Sequence, residues 1–148
     1  SGSAGRRKIL DTALCQLRPG YAQALAEYQK LYDSKSRILK DYHEAPSLLE
    51  PLPEFNYRMA QVGAILISYR ARYLRELSAQ YERSAQLLRV RISELRRRKK
   101  MTQDAQELFW LERRMAALAP MLRQMNELAE LTAHYYERGY DRNEGYRV

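Results

Sequence analysis

From Glu54 to Lys100 the chain contains no proline and one glycine, Gly63. Within that stretch Phe55, Met59, Val62, Leu66, Tyr69, Tyr73, Leu77 and Tyr81 follow one another at steps of three and four residues. Such steps put side chains on one face of an α-helix. The next step of three would fall on Ser84, which is polar, and Leu88, Ile92 and Leu95 then resume the stripe. A break of heptad phase over residues 73–84 is the local mark of a stutter. An unbroken helix of about 45 residues would be roughly 68 Å long at the α-helical rise. A domain of ordinary size cannot enclose such a rod, so it must run beside partner helices as a hairpin or coiled coil.

Composition agrees with a helical chain. Gly and Pro together number 11 of 148 residues, below the average of about 12%. Few turns are therefore needed, which argues against a β-sandwich or barrel. Hydrophobic residues at 45% supply a core, so wholesale disorder is excluded. One cysteine excludes a disulfide framework and a cysteine-rich zinc site. No apolar run approaches the roughly 18 residues of a membrane span, and no signal peptide opens the sequence. The expectation is a soluble, basic, cytoplasmic, all-α protein.

The flanking segments read as helices too. Residues 1–5 are a flexible start, and residues 6–16 carry Ile9, Leu10, Ala13 and Leu14 on one stripe, with Leu17 next. Pro19 suits the first turn of a second helix, expected from Gly20 to Tyr42. Its stripe is Tyr21, Leu25, Tyr28, Leu31, Lys35 and Leu39. Three of the five prolines fall in residues 43–53, the clearest loop. After the long helix, Thr102 is the candidate N-cap of a fourth, with Asp104 and Glu107 suited to its positive end. Leu108, Leu111, Met115, Leu118, Leu122, Met125, Ala129 and Thr132 then form a heptad seam. Pro120 should kink this helix, and Gly139 should end it.

Catalytic chemistry is poorly represented. His43 and His134 have no partner at metal-ligand spacing, and Cys15 reads as a small apolar side chain. No phosphate-cradling G-x-x-x-x-G-K-[ST] loop occurs. No cofactor, metal or small-molecule substrate is expected. The basic residues say more, because the formal net charge is +8. Arg96, Arg97, Arg98, Lys99 and Lys100 form one run, and Arg6, Arg7 and Lys8 a second. Either run could contact nucleic-acid phosphates. The first could equally be a solvated helix end whose cations complement the dipole. Further arginines at 70, 72, 75, 83, 89 and 91 could track a phosphate backbone or flank a coiled coil. Twelve tyrosines are present, and Tyr135, Tyr136, Tyr140 and Tyr146 lie among Arg138, Arg142 and Arg147. Those rings could cap the bundle end or stack on bases.

The first half resembles the RecF family of bacterial recombination-repair ATPases. That family carries R-R-x-F-L-D, then S-Q-x-x-P-x-Y, L-x-x-Y-x-K-x-L and R-N-x-L-L-K. Here Arg6-Arg7-Lys8-Ile9-Leu10-Asp11, Cys15-Gln16, Pro19, Tyr21, Leu25, Tyr28, Lys30 and Leu31 stand at those positions. Lys35-Ser36-Arg37-Ile38-Leu39-Lys40 follows, with Lys35-Ser36 in place of Arg-Asn. The family's L-x-x-x-G-x-x-I-x-x-x-R-x-x-[FY]-L is similar to Met59–Leu74, with Gly63, Leu66, Arg70 and Tyr73-Leu74. The likeness covers about residues 1–79. It implies the helical arm inserted in an SMC-like ATPase head, which binds ATP, dimerises on DNA and helps load RecA with RecO and RecR. The family's Walker A, signature and Walker B motifs do not occur in this sequence, so ATP hydrolysis does not carry over. Residues 80–148 instead resemble small bacterial helical proteins ending H-Y-Y-E-R-G-Y-x-R-N-E-x-Y.

The combined expectation is one all-α domain over residues 1–148. It should be a long antiparallel helical hairpin or coiled coil with two shorter N-terminal helices packed on it. Its function would be a non-enzymatic, RecF-arm-like part in recombinational repair, touching DNA through the basic face or a protein. The alternative is a structural coiled coil that dimerises through its leftover apolar stripe, with no nucleic-acid role, in a chimera or atypical reading frame.

Overall fold

In the computed structural model residues 3–136 are described. They form four α-helices: α1 (Ser3–Leu17), α2 (Pro19–Asp41), α3 (Leu52–Met101) and α4 (Ala105–Ala133). A single 3₁₀ turn, Pro46–Leu49, lies in the proline-rich loop. No strand occurs among the described residues. The chain divides into two compact units, Ser1–Tyr73 and Leu74–Val148, and α3 contributes a length of helix to each.

In the first unit, α1 and α2 are separated by Arg18 alone. Pro19 has no N–H to continue α1, and it drives the preceding residue out of the helical region. Arg18 is accordingly extended, at φ −134° and ψ 100°. Its carbonyl accepts from the backbone N–H groups of Tyr21 and Ala22, which starts α2. Leu10 and Leu14 of α1, Tyr21 and Ile38 of α2, and Val62 and Leu66 of α3 are buried. Ile9 and Leu17 lie exposed at the margins of the α1 stripe. Ile38 takes the inward place expected of Leu39, which is exposed. The step from half-buried Lys35 to Ile38 keeps the stripe under the helix, whereas Leu39 lies a further 100° round. Helices α2 and α3 run antiparallel, since Glu27 bonds Arg58 while Tyr21 bonds Arg70.

The second unit is the antiparallel hairpin of α3 and α4. Ser78 Oγ donates to the Ala129 carbonyl at 3.2 Å, and Arg89 Nη1 to Asn126 Oδ1 at 3.2 Å. Nearer the turn, Arg98 pairs with Glu107 at 3.4 Å and Lys99 with Glu112 at 3.3 Å. Rising numbers in α3 thus meet falling numbers in α4. Leu74, Ala85, Ile92 and Leu95 are buried on α3, and Leu111 and Ala129 on α4. Ala85, not Ser84, carries the stripe through the expected break. Its position, four residues after Tyr81 and three before Leu88, lengthens the local period without interrupting the seam.

Two boundaries differ from the sequence reading: α1 already begins at Ser3, inside the stretch expected to be a flexible start, and the N-cap of α4 is not Thr102. The N-cap of α4 is Asp104, whose carboxylate accepts from the Gln106 N–H at 3.0 Å. Thr102 acts one step earlier: its hydroxyl accepts from the Asp104 N–H and donates to Glu107. An ionised carboxylate is the stronger acceptor at the positive end of a helix, so Asp104 takes the cap. Helix α4 ends at Ala133, with His134 leaving the helical region at φ −114° and ψ 29°; Gly139 lies outside the described residues. Pro120 sits inside α4, which continues through it as one helix.

Two glycines face tyrosines across α2 and α3. A Cβ on Gly20 would collide with the Tyr69 hydroxyl and lie 3.3 Å from its Cζ. A Cβ on Gly63 would meet only Tyr28 Cε2, at 3.6 Å. Gly63→Ala should therefore stabilise the protein by up to about 1 kcal/mol through helix propensity. Gly20→Ala should lower the thermal midpoint, because Tyr69 must leave its edge-to-face contact with Tyr21, 5.8 Å between centroids. Thermal melts of both variants check this pair of opposite signs. Pro120→Ala restores a donor toward the Ala116 carbonyl and should stabilise by about 1–3 kcal/mol in a denaturant titration.

Candidate functional site

The densest polar arrangement in the first unit joins all three of its helices. Tyr21, fully buried on α2, donates its hydroxyl proton to Asp11 Oδ1 of α1. Arg70 of α3 donates through Nε to the same hydroxyl at 2.9 Å and through Nη2 to Asp11 Oδ1 at 3.1 Å. Burial, and then the bond to Asp11, pushes the Tyr21 phenol well above its ordinary value. Burial works against the charge of Arg70, but attraction to Tyr21 and Asp11 outweighs it and holds the guanidinium above its usual value. Arg70 is thus turned inward and is not one of a row of arginines tracking a backbone. Asp11, Tyr21, Arg70 and the Tyr28–Gly63 contact all occupy positions of the RecF-like motifs. In this chain those spaced motifs mark where three helices touch.

The N-terminal basic run lies on α1. Arg6 and Arg7 are half-buried and Lys8 is exposed. One Arg6 nitrogen, Nη2, is buried with no hydrogen-bond partner among the described residues. Arg7 and Lys8 line an open cavity of about 630 Å³ with Asp11, Thr12, Gln29 and Arg70. Arg7 and Lys8 make no ion pair among the described residues, and a negatively charged group could be met there by both.

The second basic run closes α3 at the hairpin end, and all five of its residues are exposed. Arg98 and Lys99 are tied to Glu107 and Glu112 of α4. Arg96, Arg97 and Lys100 make no ion pair among the described residues. Close by on α4, Phe109 and Trp110 are 55% and 54% exposed, with their ring centroids 5.5 Å apart and their planes at 73°. The Arg113 guanidinium lies 6.0 Å from the Trp110 ring centroid. The sequence reading passed over these aromatics because it followed the seam through Leu108 and Leu111. The available signal was phase: two large rings stand outside the stripe, followed by Arg113-Arg114.

His43 is exposed and stacks on Tyr42 at 4.0 Å between centroids, and His134 pairs with Glu130 at 3.3 Å. Cys15 is half-buried. No cluster of three or more His, Cys, Asp or Glu capable of holding a metal occurs among the described residues. No described helix is long and apolar enough to cross a membrane. Tyr135 and Tyr136 pack edge to face, 5.4 Å between centroids, while Tyr140, Tyr146 and Arg138, Arg142 and Arg147 lie outside the described residues.

Cutting the three-helix junction should destabilise without unfolding surface structure elsewhere. The Arg70 and Asp11 side chains are 18% and 25% exposed. Arg70→Met should therefore cost about 2–3 kcal/mol in denaturant unfolding. Tyr21→Phe, which keeps the ring and the direct Arg70–Asp11 pair, should cost less. The folded phenol is raised above its ordinary 10.0, so its contribution is complete below that pH. It drains away as pH rises toward the folded value, because only the unfolded chain then releases the proton. The wild-type midpoint should accordingly fall more steeply above pH 10 than that of Tyr21→Phe.

Comparison with known proteins agrees with the motif reading. The DNA replication and repair protein RecF of Acetivibrio thermocellus is 30% identical over 76 residues, which is 51% of this chain and 21% of that protein. RecF of Agathobacter rectalis is 32% identical over 78 residues, 53% of this chain and 22% of its own. RecF of Syntrophotalea carbinolica is 38% identical over 74 residues, 50% and 19% respectively. The chain spans about a fifth of the length of these curated relatives. No protein-family profile matches the chain, and no solved structure matches it. About half of this chain is therefore similar to one segment of RecF, and in this chain the corresponding motifs lie in a helical segment.

Proposed function

We propose that this chain is a helical module of DNA repair, RecF-arm-like in its first half, that works by contact rather than catalysis. It binds the nucleic-acid backbone through the basic end of the α3–α4 hairpin. One observation carries the reading. The nearby carboxylates Glu107 and Glu112 are engaged by Arg98 and Lys99, which leaves Arg96, Arg97 and Lys100 exposed and without an ion pair among the described residues. Cations that are neither neutralised nor buried can displace counterions from phosphates. The formal charge of +8 favours an anionic partner at long range. The relatives' role in DNA replication and repair supplies the setting. Arg7 and Lys8, beside the α1 cavity, offer a separate cationic surface within the first unit.

A second reading, a structural module that pairs with another copy, has its own observation. Leu87 and Val90 on α3 and Leu131 on α4 are exposed. It predicts a sedimenting dimer, lost on Leu87→Lys, in a protein that ignores DNA.

Anisotropy of a labelled duplex and a matching single strand, across a salt series, tests the first reading. Binding should weaken steeply with salt. Replacing Arg96, Arg97 and Lys100 together by Ala should reduce the duplex slope by about 2 to 3, at roughly 0.9 per lost contact. An absence of binding at low salt would sink the proposal.

A further inference from the structure

Helix α4 does not need Phe109 or Trp110 to pack. Leu108 and Leu111 turn inward, with Leu111 buried, and Met115 and Leu118 continue the same half-buried seam. Phe109, Trp110, Arg113 and Arg114 fall outside that seam, at the i, i+3 and i+4 spacings that make helix neighbours. More than half of each ring meets water. Arg113 and Arg114 make no ion pair among the described residues. The carboxylates nearest in sequence are occupied: Glu107 by Arg98 and Thr102, and Glu112 by Lys99. The exposed part of α4 nearest the turn is thus aromatic and cationic. Three further cations, Arg96, Arg97 and Lys100, stand at the same end of the hairpin.

We propose that this surface is a stacking site for the bases of single-stranded nucleic acid, with Trp110 as the platform. The proposal rests on the nucleic-acid reading above and deepens it from backbone contact to strand type. Unpaired bases offer free π-faces, whereas duplex bases are already stacked on each other. An indole flanked by Phe109 and by Arg113 at cation–π distance suits a flat, electron-poor ring. The surrounding arginines and Lys100 meet the phosphates on either side. Stacking tolerates any base, so the site would read strandedness and not sequence. A lipid surface is less well matched, because Arg113 and Arg114 lie within the aromatic surface itself and interrupt its apolar area.

Trp110 is the only tryptophan in the chain, so its fluorescence reports this site alone. Titration of the intact chain with oligothymidylate of about 15 nucleotides, within the span of a single-strand groove, should quench the emission. Matched duplex should quench much less at equal occupancy by anisotropy. Trp110→Ala should weaken single-strand binding on the order of ten-fold and leave duplex binding within about two-fold. Trp110→Phe should restore most of the loss, and circular dichroism should show both variants equally helical. If single strand and duplex bind with equal salt-sensitive affinity and the indole is unquenched, the stacking site is overturned while the backbone reading stands. If neither binds at low salt, both fail. A blue shift on vesicles of anionic phospholipid, without quenching by oligothymidylate, would overturn it in favour of a membrane surface.

Discussion

The first unit depends on one buried phenol. Tyr21 is in contact with helices on both sides of it: its hydroxyl donates to Asp11 of α1 and accepts from Arg70 of α3. A neutral hydroxyl placed between a carboxylate and a guanidinium satisfies both and leaves no charge alone. The arrangement also fixes register. Moving α3 along its axis by one turn, about 5.4 Å, would carry Arg70 out of reach of Asp11 and Tyr21 and leave its charge without them. Hydrophobic stripes alone tolerate such slips, since Leu for Leu costs little. A three-way polar junction does not, because a half-satisfied buried network is costly.

The second unit is held differently. Its seam is small and aliphatic, with Ala85 and Ala129 both buried, and its polar links lie at the rim. Arg98–Glu107 and Lys99–Glu112 are exposed pairs, each worth under about 1 kcal/mol. Their larger effect is on what remains. By engaging Glu107 and Glu112, they leave Arg96, Arg97 and Lys100 without an ion pair among the described residues, while the Asp104 carboxylate is held at the α4 N-cap.

Much of the fold was legible because proline placement and helical periodicity are local. Pro19 sets the α1–α2 break, Pro46 and Pro51 fall in the next connection, and α3 begins two residues before the expected Glu54, with Pro53 in its first turn. The α3 stripe was readable to its end apart from Leu74, one residue past the expected Tyr73, and Ala85, which is too small to count as apolar beside Tyr81 and Leu88. Other boundaries depended on competition between neighbours. Thr102 and Asp104 are both good caps, and the choice between them lay in which backbone N–H each could reach. The candidate site was half legible. Arg96 to Lys100 are visible as a run, but their division into paired and unpaired cations needs α4 beside them. Phe109 and Trp110 were passed over because periodicity directs the eye to the inward face.

The sequence by itself determined that the chain is helical, where its longest helix runs and that its charge is strongly positive. Those properties follow from residue type and spacing along a single helix, and need no partner. Only the tertiary structure decided which cations remain available. Arg70, one arginine among many along α3, becomes part of the core because Asp11 and Tyr21 arrive from other helices. Arg96, Arg97 and Lys100 stay without an ion pair among the described residues because Glu107 and Glu112 arrive opposite Arg98 and Lys99. An arginine's role is set by what faces it across the helix interface, and that pairing depends on residues distant in sequence.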